Sequence, residues 1–484
     1  MVVACGAERP PAESTASSSR PDVFVVVLDA ASSFYFGLYG DVHGTSPNLD
    51  RFASEAVVFD QAYSQSATTT PSTASLLTGV RVMTHQTSGT TVLPSQFKTV
   101  AQLFGEQGYR SIALISNPHA GAPQLELDRG YDEAVMIYSE AELRPGRKRE
   151  KSSRFGVVLP EDIDAALGEM LPRLPASQTY AYFHYLQPHK PYDAPPQYLD
   201  RVTREGDLCE CEGAPCACGS IGWDALHDEF LNANEVGVAS QSVIEHLKAR
   251  YRANILYVDD YFGRLIDGLR ENGLYEDSLV IVLSDHGDAF FGHRRFGHNR
   301  TLYDDMVRIP LLMKFPATAQ VEPRRFSALV ETVDIVPTIF DFLGFPLFSQ
   351  WEGESLWPLI SGAEDEPRAA HREVVLATNR RDKQALRLAD FKYIRSQDGR
   401  EELYDLRSDP QEQDDLSARH PEKTRALGER LESVVAAGGQ VPLARESELR
   451  NDPEMDRLLE ALGYIRGDDE PASPKGEEAP ADSP

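Results

Sequence analysis

The 484-residue sequence has five cysteines, no long apolar run and a shortage of basic residues. Nowhere do 18 or more apolar residues follow one another, so no segment has the composition of a transmembrane helix. The 48 Lys and Arg residues stand against 76 Asp and Glu residues, a formal net charge of −28. This charge repels phosphate backbones and anionic lipid surfaces, so we expect no nucleic acid partner.

Four of the five cysteines form one cluster. Cys209, Cys211, Cys216 and Cys218 are spaced C-x-C-x4-C-x-C in a loop rich in Gly and Pro. In an oxidising compartment this cluster would form two disulfides, whereas four thiolates could also hold a structural zinc ion. Free thiols are the third possibility, and none of the three is expected to be catalytic.

The fifth cysteine, Cys5, lies in a stretch that resembles the lipobox of bacterial lipoproteins. A segment rich in Ser, Pro and Ala follows it as far as residue 20, as a solvated tether would. We therefore expect a membrane tether through Cys5 and a place in the bacterial cell envelope, as a periplasmic or surface lipoprotein. The alternative is an arbitrary N-terminal tail, because no basic and apolar signal region precedes Cys5 in this sequence.

Continuous runs of β-branched and aromatic residues predict the fold class. Such runs cover residues 23–28, 111–115, 180–186 and 278–283. Apolar residues at successive positions are typical of strands that are buried on both faces of a parallel sheet. Helical patterns such as residues 244–271 separate these runs, which predicts an α/β fold with a doubly wound, mostly parallel sheet.

The pattern changes from about residue 367, where short alternating strands precede a charged helix over residues 421–437. We expect a main domain over residues 21–366 and a small C-terminal subdomain, an antiparallel sheet plus helix, over residues 367–466. Residues 1–20 would be the tether. Residues 467–484 are rich in Pro, Glu and Asp and are expected to be a disordered acidic tail.

Polar side chains follow each of the four predicted strands. Asp29 follows the first, Asn117 the second, His189 the third, and Asp285 with His286 the fourth. The carboxyl ends of parallel strands meet at one edge of a sheet, so these side chains should converge there. Two carboxylates and an imidazole suit one divalent cation, such as Mn, Ca, Mg or Zn.

A run of hydroxyl residues raises a separate question. Pro71 is typical of the first turn of a helix, so Thr69 and Thr70 would lie at the positive end of its dipole. A hydroxyl there could complete a metal site and be activated as a nucleophile. The alternative is that Thr69 or Thr70 only caps the helix.

Taken in order, these motifs resemble the sulfatase family of the alkaline phosphatase superfamily. The resemblance rests on Asp29 and Thr69-x-Pro71, and on residues 45–51, 76–79, 128–132, 188–192, 284–287 and 297–303. It implies a metal-dependent ester hydrolase with one divalent ion, with Mn, Ca or Mg favoured, held by Asp29, Thr69, Asp285 and His286. It further implies Thr69 as nucleophile, His189 and His298 as groups around the substrate anion, and Asn117 as a substrate-binding residue.

Two positions depart from the family pattern. Sulfatases carry Cys or Ser, matured to formylglycine, where this chain has Thr69, and an arginine where it has Thr73. Threonine cannot become formylglycine, so none is expected. In this respect the chain is similar to relatives that attack phosphodiesters through Thr, including phosphoethanolamine transferases and lipoteichoic acid synthases.

The resemblance therefore implies cleavage of a sulfate or phosphate ester, with a phosphodiester favoured, on a small molecule, glycan or lipid. One alternative is a phospho-alcohol transferase. Another alternative is a catalytically degenerate binding protein. Two residues favour it: Thr73 stands where sulfatases have an arginine, and Ala30 stands where many sulfatases have a second carboxylate. His119, His184 and His293 are given no role, although His119 follows Asn117-Pro118 and could line the rim of the site.

Overall fold

The computed structural model describes residues 20–137, 158–174, 178–203, 241–299, 301–363, 373–378 and 382–437. The tether at Cys5, the cysteine cluster at 209–218, the domain boundary at 366 and the acidic tail lie outside these residues and stay predictions, as does the envelope location. Within the described ranges, no helix is both long and apolar enough to cross a membrane.

The described strands of the main domain are β1 (Asp22–Asp29), β2 (Val57–Tyr63), β3 (Arg110–Ile115), β4 (Glu133–Met136), β5 (Thr179–Pro188), β6 (Ser278–Ser284), β7 (Ala289–Phe290), β8 (Phe296–Gly297), β9 (Arg308–Ile309), β10 (Leu311–Lys314) and β11 (Arg324–Glu331). A nine-stranded sheet forms the centre of this domain, in the order β11-β2-β10-β6-β1-β5-β3-β4, with β9 beside β2. β7 and β8 form a separate hairpin. The pairs β1–β5, β1–β6, β3–β5, β3–β4 and β2–β11 are parallel, whereas β10 runs antiparallel to β2 and β6.

Helices cover both faces of this sheet. They are α1 (Pro47–Ala53), α2 (Thr69–Thr78), α3 (Val82–His85), α4 (Val100–Glu106), α5 (Pro118–Gly121), α6 (Pro160–Met170), α7 (Pro196–Val202), α8 (Gln241–Glu271), α9 (Asp304–Val307), α10 (Ile335–Phe342) and α11 (Trp357–Ile360). In β1, alternate side chains enter two different cores: Val23, Val25 and Val27 on one face, Phe24, Val26 and Leu28 on the other. This explains the unbroken apolar run and confirms the predicted doubly wound, mostly parallel sheet.

The C-terminal subdomain is an antiparallel sheet with one packed helix, as predicted. Its strands are β12 (Val374–Ala377), β13 (Lys383–Arg387), β14 (Phe391–Ser396) and β15 (Glu401–Asp405), and its helix is α12 (Pro421–Ala437). Lys392 is fully buried and joins the two domains, since its Nζ lies 2.8 Å from Asp304 Oδ1 and 2.9 Å from Glu412 Oε1. A buried charge held by two partners fixes how the small sheet sits on the main domain.

Candidate active site

The site lies where β1, β5 and β6 end at one edge of the sheet. Leu28 in β1 is paired with Ser284 in β6, so Asp29 and Asp285 extend from adjacent strands as neighbours. Both carboxylates are buried, at 0% and 1% exposure. The structure thus brings together the two acids that the sequence pattern placed at this edge.

Each carboxylate has one oxygen that the surrounding protein holds in place. Asp285 Oδ1 accepts hydrogen bonds from the backbone N–H groups of Ala30 and His286, at 3.1 and 2.9 Å. Asp29 Oδ2 lies 2.5 Å from the Asn117 side-chain amide and 3.1 Å from His184 Nε2. The other two oxygens, Asp29 Oδ1 and Asp285 Oδ2, accept no hydrogen bond from any residue in the described ranges.

His286 and Thr69 complete a set of four donor atoms with these two oxygens. His286 Nε2 lies 3.7 Å from Asp29 Oδ1, 3.6 Å from Asp285 Oδ2 and 3.2 Å from Thr69 Oγ1. Donors that bind one ion at about 2.0–2.2 Å lie roughly 3.0–3.6 Å from one another. The spacing and the chemistry of these four atoms therefore fit a single divalent ion.

A second histidine, His184, is also close enough to Asp29 and Asp285 to share an ion with them. Its Nε2 contacts the Asp29 carboxylate, which can only accept, so that nitrogen carries a hydrogen and has no lone pair for a metal. His286 is arranged the opposite way, because its Nδ1–H donates to the Gly287 carbonyl, 2.9 Å away, and leaves Nε2 as the acceptor. We therefore assign His286 to the ion and His184 to positioning Asp29.

The pKa shifts of Asp29 and His286 show that two buried, adjacent carboxylates are unfavourable without a cation. Burial, and then the charge of Asp285, raise the pKa of Asp29. Burial opposes protonation of His286, but the charges of Asp285 and Asp29 outweigh it and raise the pKa of that imidazole. Two buried carboxylates thus draw a proton onto His286, and a divalent ion would take the place of that proton.

Thr69 occupies the first position of α2 rather than the turn before it. The residue that precedes the helix is Thr68, and its side chain makes no capping hydrogen bond. The hydroxyl of Thr69 contacts His286, while Thr70 Oγ1 lies 2.9 Å from His119 Nδ1. A capping role does not account for either hydroxyl, and Thr69 presents its oxygen to the donor set.

His189 and His298 lie beside this donor set. The ring of His298 is 4.5 Å from that of His286 and 4.9 Å from that of His189. Asp288 fixes His298, since its Oδ1 lies 2.7 Å from Nδ1 of that ring. Burial, and then the charge of His298, lower the pKa of His189, so this imidazole needs an added negative charge nearby to hold a second proton.

Sequence reasoning missed four residues at this site: His119, His184, Asp288 and Lys190. His119 and His184 were given no role, yet the first contacts Thr70 and the second contacts Asp29. Lys190 shifts the pKa values of His189 and His298 downward and so lies within electrostatic reach of both. The signal for Asp288 was available in the sequence, because it follows the Asp285–Gly287 motif directly.

The hydrogen bonds of Asn117 orient the Asp29 carboxylate of the site. It donates to Asp29 Oδ2, and its Oδ1 accepts the backbone N–H of His119 at 2.9 Å. These contacts position a carboxylate, and the binding of substrate by Asn117 stays a prediction.

Replacing His184 by alanine is expected to weaken metal binding by about 10–100-fold, because Asp29 loses the partner that holds Oδ2, the carboxylate oxygen outside the donor set. Tyr182→Phe is the matched control: it removes only the hydroxyl that lies 2.8 Å from His184 Nδ1 and should change affinity less than the alanine variant does. Metal titration against a competing chelator measures both, and equal affinities in His184→Ala and wild type would contradict the positioning role.

Comparison with known proteins covers most of the chain. The family model described as Sulfatase matches residues 21–345, and the model described as N-sulphoglucosamine sulphohydrolase, C-terminal, matches residues 292–436. Arylsulfatase K from Gallus gallus is 25% identical over 473 residues, spanning 89% of this chain and 84% of that protein.

Solved structures share the fold at low sequence identity. One, determined in complex with its substrate D-glucosamine-2-N,6-O-disulfate, has a TM-score of 0.69 at 20% identity and covers 90% of this chain and 99% of its own. The phosphonate monoester hydrolase of Agrobacterium radiobacter has a TM-score of 0.67 at 20% identity and covers 87% of this chain and 96% of its own. Both extend over the main domain and the C-terminal subdomain together.

Proposed function

The chain belongs to the sulfatase family, and from that premise we propose that it cleaves a singly charged ester, preferably a phosphodiester, with the Thr69 hydroxyl as nucleophile. It is an ester hydrolase of this family, and its substrate carries an anionic ester. The observation that carries the proposal is the 3.2 Å distance between Thr69 Oγ1 and His286 Nε2, which puts the hydroxyl inside the donor set.

Four residues would hold the ion: Asp29, Thr69, Asp285 and His286. When bound, a divalent cation favours the ionised form of a coordinated hydroxyl and draws charge from the ester oxygens. Mn, Ca or Mg suits two hard carboxylate oxygens, and zinc suits the imidazole as well. The identity of the metal is part of the proposal.

Thr69 lies at the amino end of α2, where the helix dipole also stabilises negative charge on its oxygen. We propose that Oγ attacks phosphorus in line with the leaving oxygen, so that a bond from Oγ to phosphorus forms as the bond to the leaving alcohol breaks. Protonated His189 would donate the proton on Nε2 to that alcohol, because its Nδ1 already donates to the Lys190 carbonyl. Water then attacks phosphorus, the bond from phosphorus to Oγ breaks, and the water gives one proton back to Nε2 of His189.

The charge of the site favours an ester with one negative charge. Asp29 and Asp285 together balance one divalent ion, and Lys190 adds a positive charge within reach of His189 and His298. Sulfate monoesters, phosphodiesters and phosphonate monoesters carry one charge, whereas a phosphate monoester carries nearly two at neutral pH. The preference for phosphodiesters rests on the sequence resemblance at Thr69.

The proposal is tested with four esters that share one aryl leaving group: a sulfate, a phosphodiester, a phosphonate monoester and a phosphate monoester. We expect turnover that chelation abolishes and that Mn, Mg, Ca or Zn restores, with the phosphodiester at least about tenfold faster than the phosphate monoester.

A sulfate ester cleaved fastest would overturn the preference for phosphorus. No turnover of any ester by the folded, metal-loaded protein would overturn the hydrolase mechanism and favour the degenerate binding protein. Transfer of the phospho-alcohol group to an added alcohol, in place of hydrolysis, would favour the transferase.

A further inference from the structure

A cavity of about 580 Å³ opens between the loop that joins β7 to β8 and the C-terminal sheet. Residues 292–295 of the loop form one wall, and residues of β13, β15 and the segment 412–415 form the others. Four cationic side chains line it: Arg294, Arg295, Lys383 and Arg400. This is a concentration of positive charge on a chain whose formal net charge is −28.

Most of this positive charge is not neutralised by neighbours. Among the described residues, no salt bridge joins Arg294, Arg295 or Lys383 to a carboxylate, although Arg400 Nε lies 3.2 Å from Glu402 Oε1. The side chains without such a partner, those of Arg294, Arg295 and Lys383, all line the cavity.

The two acids of the lining are engaged elsewhere. Glu412 Oε1 lies 2.9 Å from Lys392 Nζ, and its Oε2 accepts the backbone N–H of Asp304 at 2.6 Å. Asp415 Oδ1 accepts backbone N–H groups from Leu403 and Ser417, at 3.1 and 2.9 Å. The cavity therefore presents a net positive charge to whatever enters it.

The chain leads directly from the candidate active site to this cavity. β7 and β8 pair Ala289 with Gly297, which places Asp288 and His298 together at the base of the hairpin. Arg295 precedes His298 by three residues, so their Cα atoms lie within roughly 10 Å at about 3.3 Å per residue. A molecule that reaches past His298 could therefore also reach the cavity side chain of Arg295.

We propose that this cavity, the second anion site, binds a further acidic group of the ester that Thr69 attacks, so that the substrate is a polyanion; this rests on the proposed function. Guanidinium groups bind sulfate, phosphate and carboxylate in a bidentate manner. A volume of about 580 Å³ is in the range of small-molecule sites and is larger than one acidic group needs. Thr301 and Gln413 also line the cavity and are polar, which favours an acidic saccharide over an acyl chain.

The test compares two sulfated disaccharides, with one and with two sulfate groups, as inhibitors of the hydrolysis of a small aryl ester. In wild type, the second sulfate should lower the inhibition constant by about tenfold or more. In the double variant Arg294→Gln and Arg295→Gln, this difference should fall below about threefold while kcat/KM for the small ester stays within about twofold of wild type. Arg324→Gln with Arg425→Gln removes two charges that do not line the cavity and should keep the tenfold difference.

A double variant that keeps the full tenfold difference would overturn the second anion site, while its ester turnover would leave the proposed function intact. If wild type cleaves no ester, the proposed function fails, and calorimetric titration of the two disaccharides then tests the site by binding alone. Equal affinities of wild type for both disaccharides in that titration would overturn it as well.

Discussion

Replacing Thr69 by alanine is expected to lower kcat by about 10⁴-fold, because the reacting oxygen itself is lost. The remaining donors, two carboxylate oxygens and an imidazole, are unchanged in this variant, so it should still bind one divalent ion with reduced affinity. Steady-state kinetics together with metal analysis of the purified protein separates the two effects.

The matched control is Thr69→Ser, which keeps a hydroxyl at the same position of α2. We expect it to retain activity within about tenfold of wild type, since only a methyl group packed at the helix start is removed. Substantial turnover by Thr69→Ala would show that some other group attacks the ester. The capping explanation predicts a different outcome: a loss of stability of about 1 kcal/mol and little loss of activity.

Replacing Asp285 by asparagine is expected to remove bound metal and lower the rate by about 10³-fold or more. The asparagine Oδ1 can still accept from Ala30 and His286, so the loop after β6 keeps its anchors. The change removes the charge that raises the pKa of Asp29. The metal-free variant should consequently be about as stable as metal-free wild type, because Asp285→Asn removes both a repulsion with Asp29 and an attraction to protonated His286.

This pairing of lost activity with retained stability distinguishes a metal ligand from a structural residue. Asp259→Asn is the control, because Asp259 is equally buried but binds the backbone of Asn48 and Leu49 at the start of α1. It should keep its metal and its activity. Thermal unfolding with and without chelator measures the stabilities, and an Asp285→Asn protein that is destabilised yet fully metal-loaded would contradict the assignment.

Much of the fold follows from the sequence because the central strands carry their signal locally. β1, β3, β5 and β6 are continuous apolar runs, and each ends in the polar residue that builds the site. β2 and β11 were not anticipated, since β2 contains Asp60 and Gln61, and β11 begins with two arginines. The strand order depends on pairings between distant segments, which no local pattern contains.

The site also contains residues that the local sequence predicts and residues that only strand pairing brings into place. Asp29, Asp285 and His286 follow strands, so their convergence could be expected before any coordinates. His184 lies inside the apolar run of β5 and reads as a buried strand residue. Its contact with Asp29 depends on the register of β1 against β5, which pairs Val27 with His184.

The helix start agrees with the sequence pattern. Pro71 predicted the first turn of a helix, and α2 begins two residues before it, at Thr69. Pro tolerates the third helical position because the amide it lacks would have had no partner inside the helix. The outcome places Thr69 within the first turn, where its oxygen reaches His286.

The central claim is that the ester is transferred to the oxygen of one threonine, and peptide mass spectrometry of rapidly acid-quenched reactions tests it most directly. With a slow phosphodiester substrate, we predict an adduct on the peptide that contains Thr69, in which phosphorus still carries the second alcohol; it should be absent in Thr69→Ala and after chelation. A protein that turns over the same substrate at full rate with that peptide unmodified throughout would contradict the account.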